Sequence, residues 1–299
     1  MGQVTAKMAT LRLSARLLDI RYLLPAAVLL WMAGLSPETF SPSGGAAAVR
    51  AAAPVTQSRL YRWRDAAGMP QKGPQNEALS NNWSGYGVNG GSYTSVQGTW
   101  IVPKVAYQSY PGSPKVEASS TWIGIGGQDG DETLIQIGTM QAAGPSGEPE
   151  YFAWYEVLPQ TETPISRKDY PIKPGDTITA KIQCMSACGS YALSTWTLTL
   201  TNDRWPKPYS ITLQYASSLS SVEWIMEGPC IANCSSAQPG FAYLPNYGST
   251  TFTAISANNA NPNLSRAPNG IILKDPSGTA RSTPSDPVGG NSFTVTFII

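Results

Sequence analysis

The sequence predicts an all-β protein, built as a sandwich or a barrel. From Asn81 onward, strand-like stretches recur about every ten residues, and Gly, Pro, Asn and Asp separate them. Only 13% of the residues are charged, and Thr, Ser, Tyr, Trp and Gly are frequent, which favours strands and turns over helices. We see no helical pattern longer than two turns. The clearest stretches are NWSGYGVNG, VQGTWIVP, STWIGIGG, TLIQIGT, YFAWYEVLP, TITAKIQC, ALSTWTLTLTN, YSITLQY, SVEWIMEG, TTFTAISAN and SFTVTFII.

Residues 1–35 are predicted to be a secretory signal peptide. The apolar run from Leu23 to Gly34 has about twelve residues, and a membrane-spanning helix needs about twenty. Four basic residues precede it, Lys7, Arg12, Arg16 and Arg21. We therefore expect export to the outside of the cell, with an uncleaved membrane anchor as the alternative.

Residues 36–78 are rich in Ala, Pro, Gly, Arg and Gln and show no sustained strand alternation, so they form either a linker or a removable pro-segment. Residues 1–78 hold nine Lys and Arg against four Asp and Glu, a net +5, and residues 79–299 hold eleven against fifteen, a net −4. A basic pro-segment suits an acidic surface. Chance combined with a targeting signal explains the same division. Residues 79–299 are predicted to be one β domain.

The chain contains no histidine. This excludes Ser-His-Asp and Cys-His hydrolases and the HExxH metalloproteases, because each needs an imidazole as base or ligand. Any hydrolytic chemistry must therefore use carboxylates, amides, hydroxyls or lysine. The overall net charge of +1 gives no case for nucleic-acid binding.

The four cysteines form two close pairs, Cys184/Cys188 and Cys230/Cys234. In an exported chain an even number of cysteines suggests disulfides. Local pairing is the simplest arrangement, because CMSAC links two strand-like stretches as a hairpin loop. Crossed pairing between the two halves stays open. A metal site of all four cysteines is a further alternative, although its CxxxC halves are looser than the CxxC knuckles usual for zinc.

Three stretches place polar groups on one face of a predicted strand. Side chains alternate between the two faces of a strand, so in LIQIGT the Gln136 side chain lies on the face opposite to that of Ile135 and Ile137. In SVEWIMEG, two glutamates lie opposite Trp224 and Met226. If these strands adjoin YFAWYEV, one face becomes a groove with aromatic walls, although polar groups are also normal on the solvent side of a sheet. The polar members of this face are Gln136, Glu156, Glu223 and Glu227.

With these motifs in place, the sequence resembles the glutamic peptidases, the eqolisin family of secreted acid endopeptidases. The motifs follow one another in order as NNWSGY, TWIGIGG, LIQIGT, AWYEVLP and VEWIMEG, the last similar to the family's (A)EWI(V)E signature. The resemblance covers roughly residues 79–299. It implies two antiparallel sheets packed as a β-sandwich of the concanavalin A or jelly-roll type, with the catalytic groups on a concave face.

The resemblance implies a catalytic pair formed by Gln136 and Glu227. A carboxylate can act as general base towards water, and a fixed amide can stabilise the developing oxyanion. Because an amide stays neutral where a second carboxylate takes up a proton, this pair predicts activity at acidic pH. The expected substrates are proteins and peptides, and we expect no cofactor, no metal, no nucleic acid and a monomer.

Five further residues match family positions that line or border the cleft, namely Trp122, Trp154, Glu156, Asn82 and Trp83. Ordinary strand packing is the alternative interpretation of Trp122, Trp154 and Glu156. Two positions depart from the family pattern, because Gly126 and Met140 stand where acidic residues are common. The departures put the pH optimum and the subsite preference in question and leave the central pair unchanged.

Two rival functions come from other classes. A carbohydrate-binding sandwich also uses aromatic side chains on a concave sheet, and a glycosidase needs two carboxylates, for which Glu223 and Glu227 are candidates. Neither rival gives Gln136 a necessary role, so we favour the peptidase. An aspartic peptidase is disfavoured because the chain has no Asp-Thr/Ser-Gly pair.

Overall fold

The computed structural model describes residues 58–62, 64, 69–110, 116–231, 234, 240–275 and 277–299. The predicted signal peptide and residues 36–57 lie outside this part of the chain. The described residues form fifteen strands and one short helix, which confirms the all-β class. The strands are β1 (Ala78–Ser80), β2 (Trp83–Asn89), β3 (Ser95–Ile101), β4 (Glu117–Gly126), β5 (Leu134–Ala143), β6 (Glu150–Val157), β7 (Thr163–Pro164), β8 (Thr177–Ser186), β9 (Leu193–Asn202), β10 (Tyr209–Ala216), β11 (Ser221–Glu227), β12 (Ser249–Ala257), β13 (Gly270–Lys274), β14 (Ala280–Pro284) and β15 (Phe293–Phe297), and helix α1 is Arg266–Asn269.

The strands hydrogen-bond along one path, in the order β10-β9-β8-β3-β12-β15-β14-β13-β2-β11-β4-β5-β6-β7. Every pair on this path is antiparallel, and only β1 runs parallel to its neighbour β13. Strand β12 joins the two halves of the path: its residues 249–252 pair with β15, and its residues 253–257 pair with β3. The candidate site lies in the half that contains β2, β11, β4, β5 and β6.

A large apolar core contains residues from both halves of the path. One face of β4, β5 and β11 contributes side chains such as Ile123, Ile137 and Trp224, which pack with residues of β3, β8 and β9. Inside this core, the Trp224 indole nitrogen donates to the Gln97 carbonyl at 2.7 Å. Gly98 permits this approach, since a Cβ there would lie 2.8 Å from Trp224 Cδ1.

The opposite face of these strands carries a second apolar cluster. Its members include Trp83, Trp122, Trp154 and Ile225, together with Leu60 from the segment before the domain. The predicted alternation is therefore confirmed. Ile135 and Ile137 belong to the first cluster, whereas Leu134, which shares the face of Gln136, and Ile225, which shares the face of Glu227, belong to the second. We call this second side of β2, β11, β4, β5 and β6 the site face.

Each cysteine pair is bonded locally, Cys184 to Cys188 and Cys230 to Cys234. The first disulfide closes the hairpin between β8 and β9, and the second follows β11. No helix among the described residues has the length and apolar character needed to cross a membrane.

Truncation of the main core should cost far more stability than truncation of an exposed strand position. Ile137 is fully buried, so Ile137→Ala should lower the free energy of unfolding by about 2–5 kcal/mol. Ile101, which is 56% exposed, is the control, and Ile101→Ala should change it by less than about 1 kcal/mol. Denaturant unfolding measures both values, and equal losses would contradict the burial pattern.

Candidate active site

Hydrogen-bonding register brings the predicted polar residues onto one face. Glu223 of β11 lies opposite Gly124 of β4, and Gly124 lies opposite Gln136 of β5. Gln136 in turn lies opposite Glu156 of β6. Directly paired residues point to the same side of a sheet, so all of these side chains belong to the site face.

Glu227 lies on the same face, four residues further along β11 than Glu223. It pairs with Trp83 of β2 on one side and with Ser120 of β4 on the other. Strand β4 therefore separates Glu227 from Gln136, and Trp122 of β4 occupies the intermediate position along the strand. The described structure contains no direct hydrogen bond between Gln136 and Glu227.

Three elements supply hydrogen-bond donors to the buried carboxyl group of Glu227. Trp122 Nε1 donates to Oε2 at 2.8 Å, and Asn82 Nδ2 donates to Oε1 at 3.2 Å. The backbone nitrogen and the hydroxyl of Ser58 donate to Oε1 at 3.1 and 3.2 Å. Burial raises the pKa of Glu227 to about 8, and the bonds from Asn82, Ser58 and Trp122 act in the opposite direction.

Gln136 and Glu156 form a buried pair. Gln136 Nε2 donates to Glu156 Oε2 at 2.7 Å. Burial, and secondarily the nearby charge of Glu227, raise the pKa of Glu156 to about 10, so this carboxyl is neutral in acid. Gln136 Oε1 and Glu156 Oε1 are buried without a hydrogen-bond partner among the described residues. One side-chain oxygen of each residue is therefore available for a further hydrogen bond on the site face.

Three tryptophans build the walls of the site. Trp122 packs edge-on against Trp83, with ring centroids 4.9 Å apart. Trp154 Nε1 donates to Ser120 Oγ at 3.0 Å, which fixes the Trp154 ring beside β4. All three rings are fully buried. Each predicted lining residue therefore lies on or at the edge of the site face.

A segment that precedes the β domain covers this face. Leu60 is only 7% exposed and packs in the second apolar cluster, and Ser58 contacts Glu227. Trp83 Nε1 donates to the Ser58 carbonyl at 2.9 Å. Sequence reasoning missed Ser58 and Leu60, because residues 36–78 lack strand alternation. The opposite net charges of leader and body were the available signal.

The model of the Peptidase A4 family matches residues 81–297 of the chain. This chain belongs to the Peptidase A4 family. It is a glutamic endopeptidase, as the sequence motifs predicted. It is 27% identical over 241 residues to aspergillopepsin-2 of Aspergillus niger, covering 76% of this chain and 80% of that protein.

Solved structures of other peptidases share the fold of this family member. Scytalido-glutamic peptidase with a transition-state analogue inhibitor has a TM-score of 0.54 at 21% identity, covering 73% of this chain and 98% of that chain. SCP-B, an eqolisin in complex with the tripeptide Ala-Ile-His, has a TM-score of 0.54 at 19% identity, with the same coverage.

The two departures from the family pattern have local explanations in this Peptidase A4 member. Gly126 has a φ of +99°, and a Cβ there would lie 2.3 Å from the Thr133 carbonyl oxygen. An acidic side chain at this position therefore requires a different backbone. Met140 is buried in the second apolar cluster, where an ionised carboxylate would be costly.

A second buried pair of an amide and a carboxyl group, Gln128 and Glu223, lies beside the site. Gln128 Nε2 donates to Glu223 Oε1 at 2.8 Å, and burial raises the pKa of Glu223 well above its ordinary range. The sequence did not single out Gln128, because its contact with Glu223 depends on how the turn between β4 and β5 folds over β11. Among the described residues, no group of three or more His, Cys, Asp or Glu is arranged to hold a metal ion.

The Trp122 indole should control the proton affinity of Glu227. Trp122→Phe removes a donor to the carboxylate, which should weaken the ionised form by roughly 1.5–3 kcal/mol and raise the pKa of Glu227 further. Trp154→Phe is the matched control, because that indole donates to Ser120 instead. Carboxyl ¹³C NMR titration of glutamate-labelled protein measures both, and an unchanged Glu227 titration in Trp122→Phe would contradict this role.

Proposed function

We propose that this Peptidase A4 member is a secreted acid endopeptidase that uses Gln136 and Glu227 as its catalytic pair and is made as a precursor. One observation carries the proposal. A buried carboxyl group, Glu227, lies on the same face as Gln136, and a peptide segment of the chain is hydrogen-bonded directly against it. Such a face is suited to receive the backbone of a substrate.

Glu227 acts as the general base. When segment 58–62 leaves, water reaches the carboxyl group, burial no longer favours its neutral form, and its pKa falls towards the ordinary value of about 4. The ionised Glu227 takes a proton from the attacking water and then gives it to the leaving nitrogen. Trp122 and Asn82 remain as donors that hold the carboxylate in place.

Gln136 stabilises the negative charge that develops on the carbonyl oxygen. Its amide nitrogen carries two hydrogens, and the bond to Glu156 uses one of them. The other hydrogen is left for the oxyanion. Because Glu156 is neutral in acid, it fixes the amide without adding a negative charge next to the oxyanion. Trp83, Trp122 and Trp154 form an apolar surround for the site.

Segment 58–62 is proposed to belong to an inhibitory pro-segment that ends near residue 78. It occupies the donor-rich side of Glu227 and fills the apolar cluster with Leu60, so a substrate cannot enter at the same time. The leader with its basic residues and the disulfides between neighbouring cysteines are consistent with export.

Acid favours the covered state through Glu227. The pKa of Glu227 is higher in the covered than in the open state, so this group stabilises the covered state fully below about pH 4 and loses that effect as the pH rises through about 8. The ion pairs Arg59–Glu132 and Arg62–Asp129 have exposed carboxylates and add little to the stability of the covered state. Exposed pairs contribute only about 0–1 kcal/mol each. Activation in acid therefore proceeds by cleavage of the chain rather than by simple dissociation.

The fold is proposed to be a two-sheet β-sandwich of the concanavalin A or jelly-roll type. The packing of β3, β8 and β9 against β4, β5 and β11 through the main core supports this arrangement. Glycoside hydrolysis by Glu223 and Glu227 is less favoured. Glycoside hydrolysis needs only two carboxylates and gives Gln136, on the same face, no necessary role.

Substitution of either catalytic residue should abolish most activity on denatured protein in acid. Glu227→Gln removes the base and should lower kcat/KM by about 10²–10⁴-fold, and Gln136→Ala should lower kcat by about 10²–10³-fold. Glu223→Gln is the control on the same strand and face, and it should retain near wild-type turnover. Wild-type-like turnover in Glu227→Gln or Gln136→Ala would sink the assignment.

The covering segment should also set the rate of activation. The purified full-length chain should become shorter and active at about pH 3–4, near the ordinary carboxyl pKa values. Leu60→Asp places a carboxyl group in the apolar cluster and should accelerate activation. Gln75→Asp adds the same charge at an exposed position before the domain and should leave the rate unchanged. A precursor that stays full-length and inactive at this pH would rule out this activation route.

A further inference from the structure

Residues 58–62 lie on the site face largely through their backbone. The Leu60 nitrogen donates to the Gly127 carbonyl at 3.0 Å, and the Tyr61 nitrogen donates to Asn82 Oδ1 at 3.0 Å. Asn82 Nδ2 donates to the Arg59 carbonyl at 3.0 Å. One amide side chain thus contacts both a donor and an acceptor of the passing chain, as a neighbouring strand would. This mode of binding is available to any extended peptide.

The side chains of the same segment contact chemically distinct places. Leu60 enters the apolar cluster, whereas the flanking arginines reach a rim of two carboxylates. Arg59 Nη1 lies 2.7 Å from Glu132 Oε1, and Arg62 Nη2 lies 2.5 Å from Asp129 Oδ1. The segment therefore presents a basic, an apolar, an aromatic and a second basic residue in order. The protein offers a complementary group for each, since the Tyr61 ring lies beside that of Phe241 with centroids 5.3 Å apart.

One carboxylate of the acidic rim, Asp129, is held in place by the rest of the domain. Both carboxylates belong to the turn between β4 and β5. Asn89 Nδ2 of β2 donates to Asp129 Oδ2 at 2.9 Å, on the oxygen that Arg62 does not use. Asp131, between the two rim residues, accepts from Ser220 Oγ at 2.8 Å. Asp129, fixed in this way, loses little conformational entropy when a basic side chain binds.

We propose that Asp129 and Glu132 are specificity-determining residues that select basic side chains at the first and fourth places of a peptide with the pattern basic, apolar, aromatic, basic. The inference rests on the proposed function, because it takes segment 58–62 as a stand-in for substrate. Once the segment has left, both carboxylates are without their arginine partners. A substrate with basic residues at these two places restores the two ion pairs, and one with acidic residues meets repulsion.

The test measures the cleavage of matched peptides by the enzyme obtained when the full-length chain is activated in acid. Fluorogenic peptides that contain Ser-Arg-Leu-Tyr-Arg are compared with peptides in which one or both arginines are replaced by glutamine. We expect each arginine to raise kcat/KM about threefold and both together about tenfold, the size typical of exposed ion pairs. The preference should shrink at 1 M salt, where exposed charges are strongly screened.

Rim variants assign the preference to the two carboxylates. Glu132→Gln should abolish the preference for the first arginine, and Asp129→Asn the preference for the second, with cleavage of the double-glutamine peptide unchanged. Glu148→Gln, an exposed substitution in the turn between β5 and β6, should retain the full preference. If the enzyme cleaves casein but shows no arginine preference on the peptides, or if the preference survives both rim substitutions, this inference is wrong and the proposed function stands. Failure to cleave casein at all overturns the proposed function and this inference with it.

Discussion

The burial of one carboxyl group, that of Glu227, is the constraint on which the rest of the site depends. A buried carboxylate is costly unless donors surround it, and here the donors come from three separate parts of the chain. Trp122 lies on the neighbouring strand β4, Asn82 precedes β2, and Ser58 belongs to the covering segment. The neighbouring strand, the start of the domain and the covering segment therefore all contact the Glu227 side chain.

The same burial links the covered state to the chemistry. A carboxyl group whose pKa is raised to about 8 is a poor base in acid, and in the proposed mechanism removal of the segment restores the ionised form that hydrolysis needs. Glu156 stays neutral because it lies in the sheet beneath the site, paired with Gln136. In the proposed mechanism, the two glutamates on this face take different roles because their surroundings differ, with one exposed on activation and the other kept buried.

Sequence periodicity was sufficient to predict the faces of the strands but not the neighbours of each residue. Gln136 alternates with Ile135 and Ile137, so a period of two assigns it to the site face. Its partner Glu156 follows from the register between β5 and β6, and the separation of Gln136 from Glu227 follows from β4 lying between their strands. Both depend on pairing between strands distant in sequence, which alternation within a strand does not encode. Leu60 and Ser58 were missed for a related reason, since a single extended segment buries too few residues to produce a pattern.

The most direct measurement is a crystal structure of the acid-activated protein with a peptide that carries a tetrahedral transition-state analogue. A tetrahedral oxygen within hydrogen-bond distance of Gln136 Nε2, a second one against the Glu227 carboxyl group, and a peptide backbone along Asn82 in place of segment 58–62 are the expected result. An analogue bound away from Gln136 and Glu227, or bound while Ser58 still contacts Glu227, would contradict the assignment of this face as the catalytic site.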